Sequence, residues 1–196
     1  GIDRADEGSI SIEGRPVAVG APLDAIQAGI GFCPEDRKLE GIVGDLSLRE
    51  NVILALQSKR GTFRALSRKR QDEIGSGYIQ RLGIKASDAE VPISKLSGGN
   101  QQKALLARWM ATDPRMLILD EPTRGIDVAA KLEIMRQGME LCDKGMAVLF
   151  ISSEMEEVVR YSDKVAVMRD RKKVGELSGG EADEQRVFEM IAGGQP

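Results

Sequence analysis

The most informative part of the sequence is residues 96–127, which contain Leu96-Ser97-Gly98-Gly99-Asn100-Gln101-Gln102 and, after a helical pattern, Met116-Leu117-Ile118-Leu119-Asp120-Glu121-Pro122. Four apolar residues before Asp120 and Glu121 predict a buried strand with two carboxylates at its carboxyl end. Adjacent strand residues point in opposite directions, so one acid can reach a Mg²⁺ ion while the other orients a water molecule. This division of roles is what phosphoryl transfer to water requires.

Ser97, Gly98 and Gly99 stand at the predicted start of the helix that precedes this strand. Two glycines and a serine expose several backbone N–H groups, and the helix dipole favours an anion there. An isolated Ser-Gly-Gly is usually a turn or a cap. Together with Asn100-Gln101-Gln102-Lys103 and the two acids some twenty residues later, it favours a phosphate site.

Composition sets broader limits on the class of protein. The chain has 196 residues, of which 41% are hydrophobic and 30% charged, and this favours one α/β domain with a sizeable core. A net charge of −3 gives little support to a nucleic-acid groove. Cys33 and Cys142 lack CxxC spacing and the chain has no histidine, so we expect a reducing, cytoplasmic compartment. The start at Gly1, without Met, suggests an excised or incomplete domain.

Periodicity predicts how the chain is organised around residues 96–127. A mainly helical region, about residues 45–112, reads as an insertion between strands of the sheet. The continuous apolar runs 146–151 and 164–168 predict strands covered on both faces, as in a parallel sheet between helices. Further helices are predicted at residues 128–144, 155–161 and 183–191. The basic run 64–70 is more simply a solvated helix face than a nucleic-acid or lipid patch, since acids follow it.

A polar cluster, Glu35-Asp36-Arg37-Lys38, follows the predicted buried strand at residues 30–34. The carboxyl ends of strands are where open α/β sheets place contacts to ligands or partners. A solvated loop explains the cluster about equally well when it is considered alone.

These motifs resemble those of the ATP-binding-cassette (ABC) ATPases over essentially the whole chain. Residues 96–102 are similar to the signature motif, 117–121 to Walker B, 125–127 to the D-loop and 32–35 to the Q-loop region. The resemblance implies an α/β, P-loop NTPase-like cassette with a mainly parallel sheet, an inserted helical subdomain, and ATP and Mg²⁺ as cofactors. It implies catalytic roles for Glu121, Asp120 and Ser153, cofactor binding by Ser97, Gly98, Gly99, Asn100, Gln101, Glu35 and Asp127, and Mg²⁺ binding by Asp120 and Glu35.

Finer features resemble the second, C-terminal cassette of the tandem ATPases that power bacterial monosaccharide importers of the ribose, arabinose and galactofuranose type. Residues 49–57 and 168–172 are most similar to the galactofuranose group. This resemblance implies an N-terminal cassette in the same polypeptide, transmembrane permease subunits and, indirectly, a periplasmic sugar-binding protein as partners. It implies no nucleic acid, and a cytoplasmic location on the inner face of the membrane.

Three departures limit what the resemblance implies. The chain has no Gly-x-x-x-x-Gly-Lys-Ser/Thr motif, and residues 1–8 resemble the segment after the P-loop helix, so we expect the first strand and helix of the cassette to be missing. Ser153 stands at the switch-histidine position, and a hydroxyl cannot act as an imidazole. Glu35 replaces the Q-loop glutamine. We therefore expect residues 96–102 to serve ATP on the partner cassette.

Two other classes stay open at this level. A cassette of the chromosome-maintenance or translation type shares these motifs and would bind nucleic acid, and a non-catalytic binding module would need no P-loop. In the family fold the P-loop strand lies between the strands at 146–151 and 164–168. Its absence should leave an unpaired strand edge with apolar residues exposed, and the chain should be poorly stable alone.

Overall fold

The computed structural model describes residues 1–3, 5–61 and 63–193. They form two units, residues 1–149 and 150–196, and each unit is described by itself. The elements of the first unit are β1 (Ile10–Ile12), β2 (Arg15–Val17), α1 (Pro22–Gln27), β3 (Ile30–Cys33), α2 (Leu48–Arg60), α3 (Arg68–Arg81), α4 (Gly98–Met110), β4 (Met116–Asp120), α5 (Val128–Asp143) and β5 (Ala147–Ile151), of which β5 runs across the boundary.

The central sheet has the strand order β3-β4-β5, with β3 and β4 parallel. The register places Ile30 beside Met116 and Cys33 beside Leu119. The residues that follow β3 and β4 therefore emerge at the same edge of the sheet. The predicted parallel α/β arrangement is confirmed for this pair of strands, and β1 and β2 form a separate antiparallel hairpin.

Helices α2 and α4 contribute a large part of the apolar core, with Leu48, Val52, Leu105 and Ala107 almost completely buried. The first turn of α2 is fixed by a capping box, because Ser47 Oγ accepts from the Glu50 amide and the Glu50 carboxylate accepts from the Ser47 amide. Ser67 caps α3 in the same way with its hydroxyl. Local capping chemistry of this kind fixes where these two helices begin.

A buried charge ties α4 to α2. The Arg108 guanidinium donates to Asn51 O at 2.8 Å, Asn51 Oδ1 at 2.6 Å and Gly41 O at 2.5 Å. Burial lowers the pKa of Arg108 to about 10, and burial raises the pKa of the neighbouring Cys33 thiol to about 12. The three acceptors compensate for the loss of water around Arg108 and fix α4 relative to α2.

A second buried arginine joins α2 to the segment before α4. The Arg49 side chain is only 3% exposed, and its Nε lies 2.8 Å from Glu90 Oε1. Glu90 also pairs with Arg68 of α3, at 2.9 Å. The hydrogen bond from Arg49 lowers the pKa of Glu90 below the ordinary value of 4.5. This ion-pair network joins α2 and α3 to the segment before α4.

The second unit contains α6 (Met155–Tyr161), β6 (Lys164–Arg169), β7 (Lys172–Ser178) and α7 (Glu184–Ala192). Strands β6 and β7 are antiparallel, and Val165, Val167 and Val187 form the centre of its apolar cluster. The prediction that residues 164–168 form a strand covered on both faces of a parallel sheet is wrong. Strand β6 pairs with β7 in a hairpin, and its alternate residues are exposed because only one face packs against the apolar cluster that contains Val187.

Among the residues that the structure describes, the edge strand β5 has one hydrogen-bonded neighbour in the sheet order, and its apolar residues Leu149 and Ile151 are 44% and 43% exposed. This matches the expected unpaired edge and corrects the idea that residues 146–151 are covered on both faces. Within the described residues, no helix is long and apolar enough to cross a membrane.

The Arg49–Glu90 pair gives a stability prediction. Because the pKa of Glu90 is lowered in the folded state, the pair contributes fully above the ordinary pKa of 4.5 and its contribution is lost as the pH falls through the lower, folded-state pKa. Glu90→Gln should therefore lower the free energy of unfolding at neutral pH by roughly 1 kcal/mol after solvent screening of the half-exposed carboxylate, and with it the thermal midpoint. Thermal unfolding followed by circular dichroism across this pH range measures the difference.

Glu140→Gln is the matched control, since Glu140 pairs with Arg136 on the exposed face of α5. We expect a change below about 0.5 kcal/mol for this variant. A difference between wild type and Glu90→Gln that stays constant well below pH 4.5 would contradict the assigned ion pair.

Candidate functional site

Two carboxylates end the central strand β4, as predicted. Asp120 is the last residue of the strand and Glu121 follows it with a left-handed φ of 44°. Such a backbone costs a residue other than glycine roughly 1 kcal/mol or more, so the surrounding chain must hold Glu121 there. Partial burial, and then the neighbouring charge of Glu121, raise the pKa of Asp120. A bound cation would relieve both effects, so the pair fits a Mg²⁺ site.

Glu35 emerges at the same sheet edge, because it follows β3 as Glu121 follows β4. Its carboxylate forms an ion pair with Arg124. Among the described residues there is no group of three or more His, Cys, Asp or Glu side chains suited to a metal. Mg²⁺ is commonly bound by one or two carboxylates together with phosphate oxygens and water, so the predicted ligands Asp120 and Glu35 remain compatible with a nucleotide-dependent site.

The first turn of α4 carries the predicted anion site. Ser97 is the N-cap residue and is exposed, and its Oγ accepts a hydrogen bond from Asn100 Nδ2 at 2.9 Å. Asn100 Oδ1 accepts in turn from the Lys85 amide at 2.8 Å. In the described structure the Ser97 side chain does not cap the backbone of its helix. The first amides of α4 are therefore available to an external acceptor.

The buried side chain of Gln101 stabilises this turn through hydrogen bonds. It is 5% exposed, and its Nε2 donates to Ile93 O at 3.2 Å and Leu96 O at 3.1 Å. The amide thus holds the segment that enters α4. The contact between Gln101 and a cofactor stays a prediction, while the structure gives this residue a clear role in shaping the loop.

The two glycines of the turn are required by close neighbours. A Cβ on Gly98 would lie 2.6 Å from Arg37 Nη2 and 3.3 Å from Gly125 O, and a Cβ on Gly99 would lie 2.5 Å from the Cβ of Ala130. Asp127 Oδ1 accepts from the Ala130 amide at 3.0 Å and caps α5. The structure therefore brings the predicted signature and D-loop residues of this chain into direct contact.

Ser153 is the predicted site residue that belongs to the second unit. It is exposed and is the second residue after β5. Its neighbour Ser152 accepts from the Glu154 amide at 3.0 Å and lies 3.3 Å from Glu157 Oε2, which fixes this turn. The catalytic role of Ser153 stays a prediction.

Arg37 and Arg124 are not among the predicted site residues, although Arg124 pairs with Glu35 and Arg37 lies against Gly98. Arg37 was noted only as part of the polar cluster after β3. The signal that could have identified it is its place just beyond a strand end. Its partners lie 87 and 88 residues away in sequence, so no local pattern reveals them.

Comparisons with known proteins agree with this geometry. The sequence profile of the family described as "ABC transporter" matches residues 1–124. The galactofuranose transporter ATP-binding protein YtfR of Escherichia coli (strain K12) is 53% identical over 192 residues, which are 98% of this chain and 38% of that protein. The fructose import ATP-binding protein FruK of Bifidobacterium longum is 45% identical over 193 residues, again 98% and 38%. The chain thus spans about two fifths of the length of these relatives.

Solved structures give the same fold. A nucleotide-free ATP-binding cassette from an ABC transporter matches with a TM-score of 0.78 at 20% identity, over 98% of this chain and 76% of that chain. The cassette MJ0796 in a post-hydrolysis dimer with ADP and phosphate matches with a TM-score of 0.76 at 21% identity, over 91% and 76%. Fold and motifs together define a nucleotide-binding α/β cassette. The chain belongs to the ABC transporter family, as the motifs predicted.

Close packing at Gly99 yields a prediction. Gly99→Ala places a methyl group against Ala130, so α4 and α5 must separate, and we expect a loss of about 1–3 kcal/mol in the free energy of unfolding. Adding Ala130→Gly should remove the clash, so that the double variant stays below wild type only by the roughly 0.5–1 kcal/mol that glycine costs in a helix relative to alanine. Urea unfolding curves of the single and double variants measure both effects.

The matched control is Gly77→Ala on the exposed face of α3, where no other described atom approaches a new Cβ within 4 Å. This change should stabilise the protein by about 0.5–1 kcal/mol, because alanine favours a helix over glycine. Equal responses at positions 77 and 99, or failure of Ala130→Gly to restore stability, would show that the contact with Ala130 is unimportant.

Proposed function

We propose that this chain is a nucleotide-binding cassette of a bacterial monosaccharide importer, and that it presents the first turn of α4 to the phosphates of ATP bound on a partner cassette. The observation that carries the proposal is the start of α4, where the Ser97 side chain does not cap the backbone, while most of the same helix is buried. The relatives that resemble it are named for the import of galactofuranose, fructose, ribose or arabinose, which supports a sugar as the transported solute.

Ser97, Gly98 and Gly99 have the chemistry to bind a phosphate. Since Ser97 Oγ already accepts from Asn100, its own hydroxyl hydrogen can be donated outward. The amides of the first turn point in the same direction, and the helix dipole adds a partial positive charge there. Asn100 and Gln101 maintain this arrangement through contacts within the chain.

We call the first turn of α4 one half-site, because it would form one side of an ATP site, and the end of β4 a second half-site. Mg²⁺, when bound there with ATP, neutralises charge on the phosphates. Asp120 would bind the metal, together with Glu35 at the same edge, and Glu121 would orient the attacking water. Ser153 would donate a hydrogen bond to a phosphate oxygen, and Asp127 would contact the nucleotide across the interface. Because Ser153 cannot take up a proton as histidine does, we expect slow hydrolysis at this half-site.

The proposed partners are an N-terminal cassette of the same polypeptide, transmembrane permease subunits and, indirectly, a periplasmic sugar-binding protein. Leu39 and Val43, which are 84% and 42% exposed, offer apolar contacts to a permease close to Glu35. These partners place the chain on the cytoplasmic face of the membrane. A net charge of −3 lends no support to nucleic acid as a partner.

Ser97→Arg tests the role of α4. A bulky side chain at the N-cap fills the space that the phosphate requires, so ATPase turnover coupled to transport should fall about 100-fold or more. The measurement is phosphate release by the full-length protein with its permease in proteoliposomes. Ser76→Arg, on the exposed face of α3, is the control and should retain wild-type turnover. Unchanged turnover in Ser97→Arg would refute the proposed role.

The second test separates this function from that of a non-catalytic binding module. These 196 residues contain no P-loop motif, so we expect no tight binding of ATP and Mg²⁺ by this chain alone in isothermal titration calorimetry. Circular dichroism first establishes that the chain is folded, and the full-length protein is the positive control. Micromolar affinity of the chain alone would mean that it holds ATP without such a loop.

A further inference from the structure

The Arg37 guanidinium joins the segment after β3 to the segment after β4. Its Nη1 donates to Arg124 O at 2.9 Å and its Nη2 donates to Gly125 O at 3.2 Å. The two acceptors are consecutive carbonyl groups, and the planar fork of an arginine can reach both at once. The side chain therefore holds the turn at residues 124–125 by its backbone.

The same guanidinium lies against the start of α4. A Cβ on Gly98 would lie 2.6 Å from Arg37 Nη2, and Gly125 O lies 3.3 Å from the same point. Arg37, Gly125 and the first turn of α4 thus meet at one place. Only a glycine at position 98 leaves room for this arrangement.

Arg37 is itself fixed on both sides. Asp36 Oδ1 accepts from the amides of Lys38 and Leu39, each at 3.0 Å, and so orders the helical turn Arg37–Gly41. On the other side, Glu35 forms an ion pair with the side chain of Arg124. The backbone that carries Arg37 and the side chain of Arg124 are therefore ordered by contacts within the chain, and the guanidinium itself is held by the two carbonyl groups.

The held turn begins at the catalytic candidate Glu121, since the Arg124 amide donates to Glu121 O at 3.1 Å. A single side chain consequently connects the backbone of Glu121 with the anion-binding turn at Gly98. The Arg37 side chain donates its hydrogen bonds to the carbonyl oxygens of Arg124 and Gly125. Such contacts are typical of a residue that orders the backbone and less typical of one that binds phosphate.

We propose that Arg37 is a positioning residue that fixes the turn at residues 124–125 against the first turn of α4 and is needed for turnover more than for ATP affinity. The proposal rests on the proposed function, because it assumes that both turns act on nucleotide. A displacement of either turn by about 1 Å would lower the rate without removing a contact to ATP.

The experiment uses the full-length protein with its permease and compares Arg37→Ala, Arg37→Lys and Arg136→Ala. Arg37→Ala should lower kcat by about 10- to 100-fold and change the KM for ATP by less than about threefold. Arg37→Lys should recover little, since an ammonium group cannot bridge two carbonyls as a fork does. Arg136→Ala removes an exposed arginine of α5 and should behave as wild type.

Two further readouts separate positioning from general loss of structure. Methylguanidinium should partly restore the turnover of Arg37→Ala, whereas the same concentration of sodium chloride should not. Hydrogen exchange at the Arg124 amide should become faster in both Arg37 variants and stay unchanged in Arg136→Ala, because the turn opens more often.

Other outcomes overturn the proposal. A raised KM with unchanged kcat would make Arg37 a nucleotide ligand, and unchanged kcat with unchanged exchange would show that the turn is held without it. If Ser97→Arg abolishes turnover while Arg37→Ala does not lower kcat, the positioning role alone fails. If neither variant lowers turnover, the proposed function fails as well. Should Arg37→Ala not fold, Arg37→Lys and its exchange rates decide.

Discussion

The parallel pairing of β3 with β4 is the constraint on which the candidate site depends. Because Cys33 lies beside Leu119, the chain leaves both strands at the same edge and delivers Glu35 next to the segment of Asp120 and Glu121. Leu117 and Leu119 are buried and Ile118 is only partly so, which fixes the faces of β4. A shift of one residue in register would exchange these faces and separate the polar groups that now meet.

The burial of helix α4 is a second constraint on the site, in addition to the register of β3 and β4. All but the first turn of the helix is packed in the core, and Arg108 with its three carbonyl and amide acceptors prevents the helix from sliding along α2. Lys103 adds a second link, donating to Gly83 O at 3.2 Å and pairing with Glu133 of α5. Ser97 is thus exposed at the N-terminal end of a rigid helix, as preorganised binding of an anion requires.

The sequence predicted what depends on local chemistry and missed what depends on distant pairing. The starts of α2, α3 and α5 follow from Ser47, Ser67 and Asp127, whose side chains cap the helices that they precede. The hairpin of β6 and β7 and the strand β2 were missed, since short strands with mixed residues carry little periodic signal. Likewise, nothing near Arg37 indicates that it contacts Gly125, 88 residues later.

Glu35 places a carboxylate where the family pattern has a neutral glutamine. The neighbouring charges at this edge of the sheet explain how that carboxylate is accommodated. Its ion pair with Arg124 balances that charge, and both Arg37 and Arg124 lie beside the turn that follows Glu121. Even so, the pKa of Asp120 is raised, first by burial and then by Glu121. The two arginines therefore leave the carboxylate pair at the end of β4 uncompensated, and in the proposed function a divalent cation that arrives with phosphate would supply the missing positive charge.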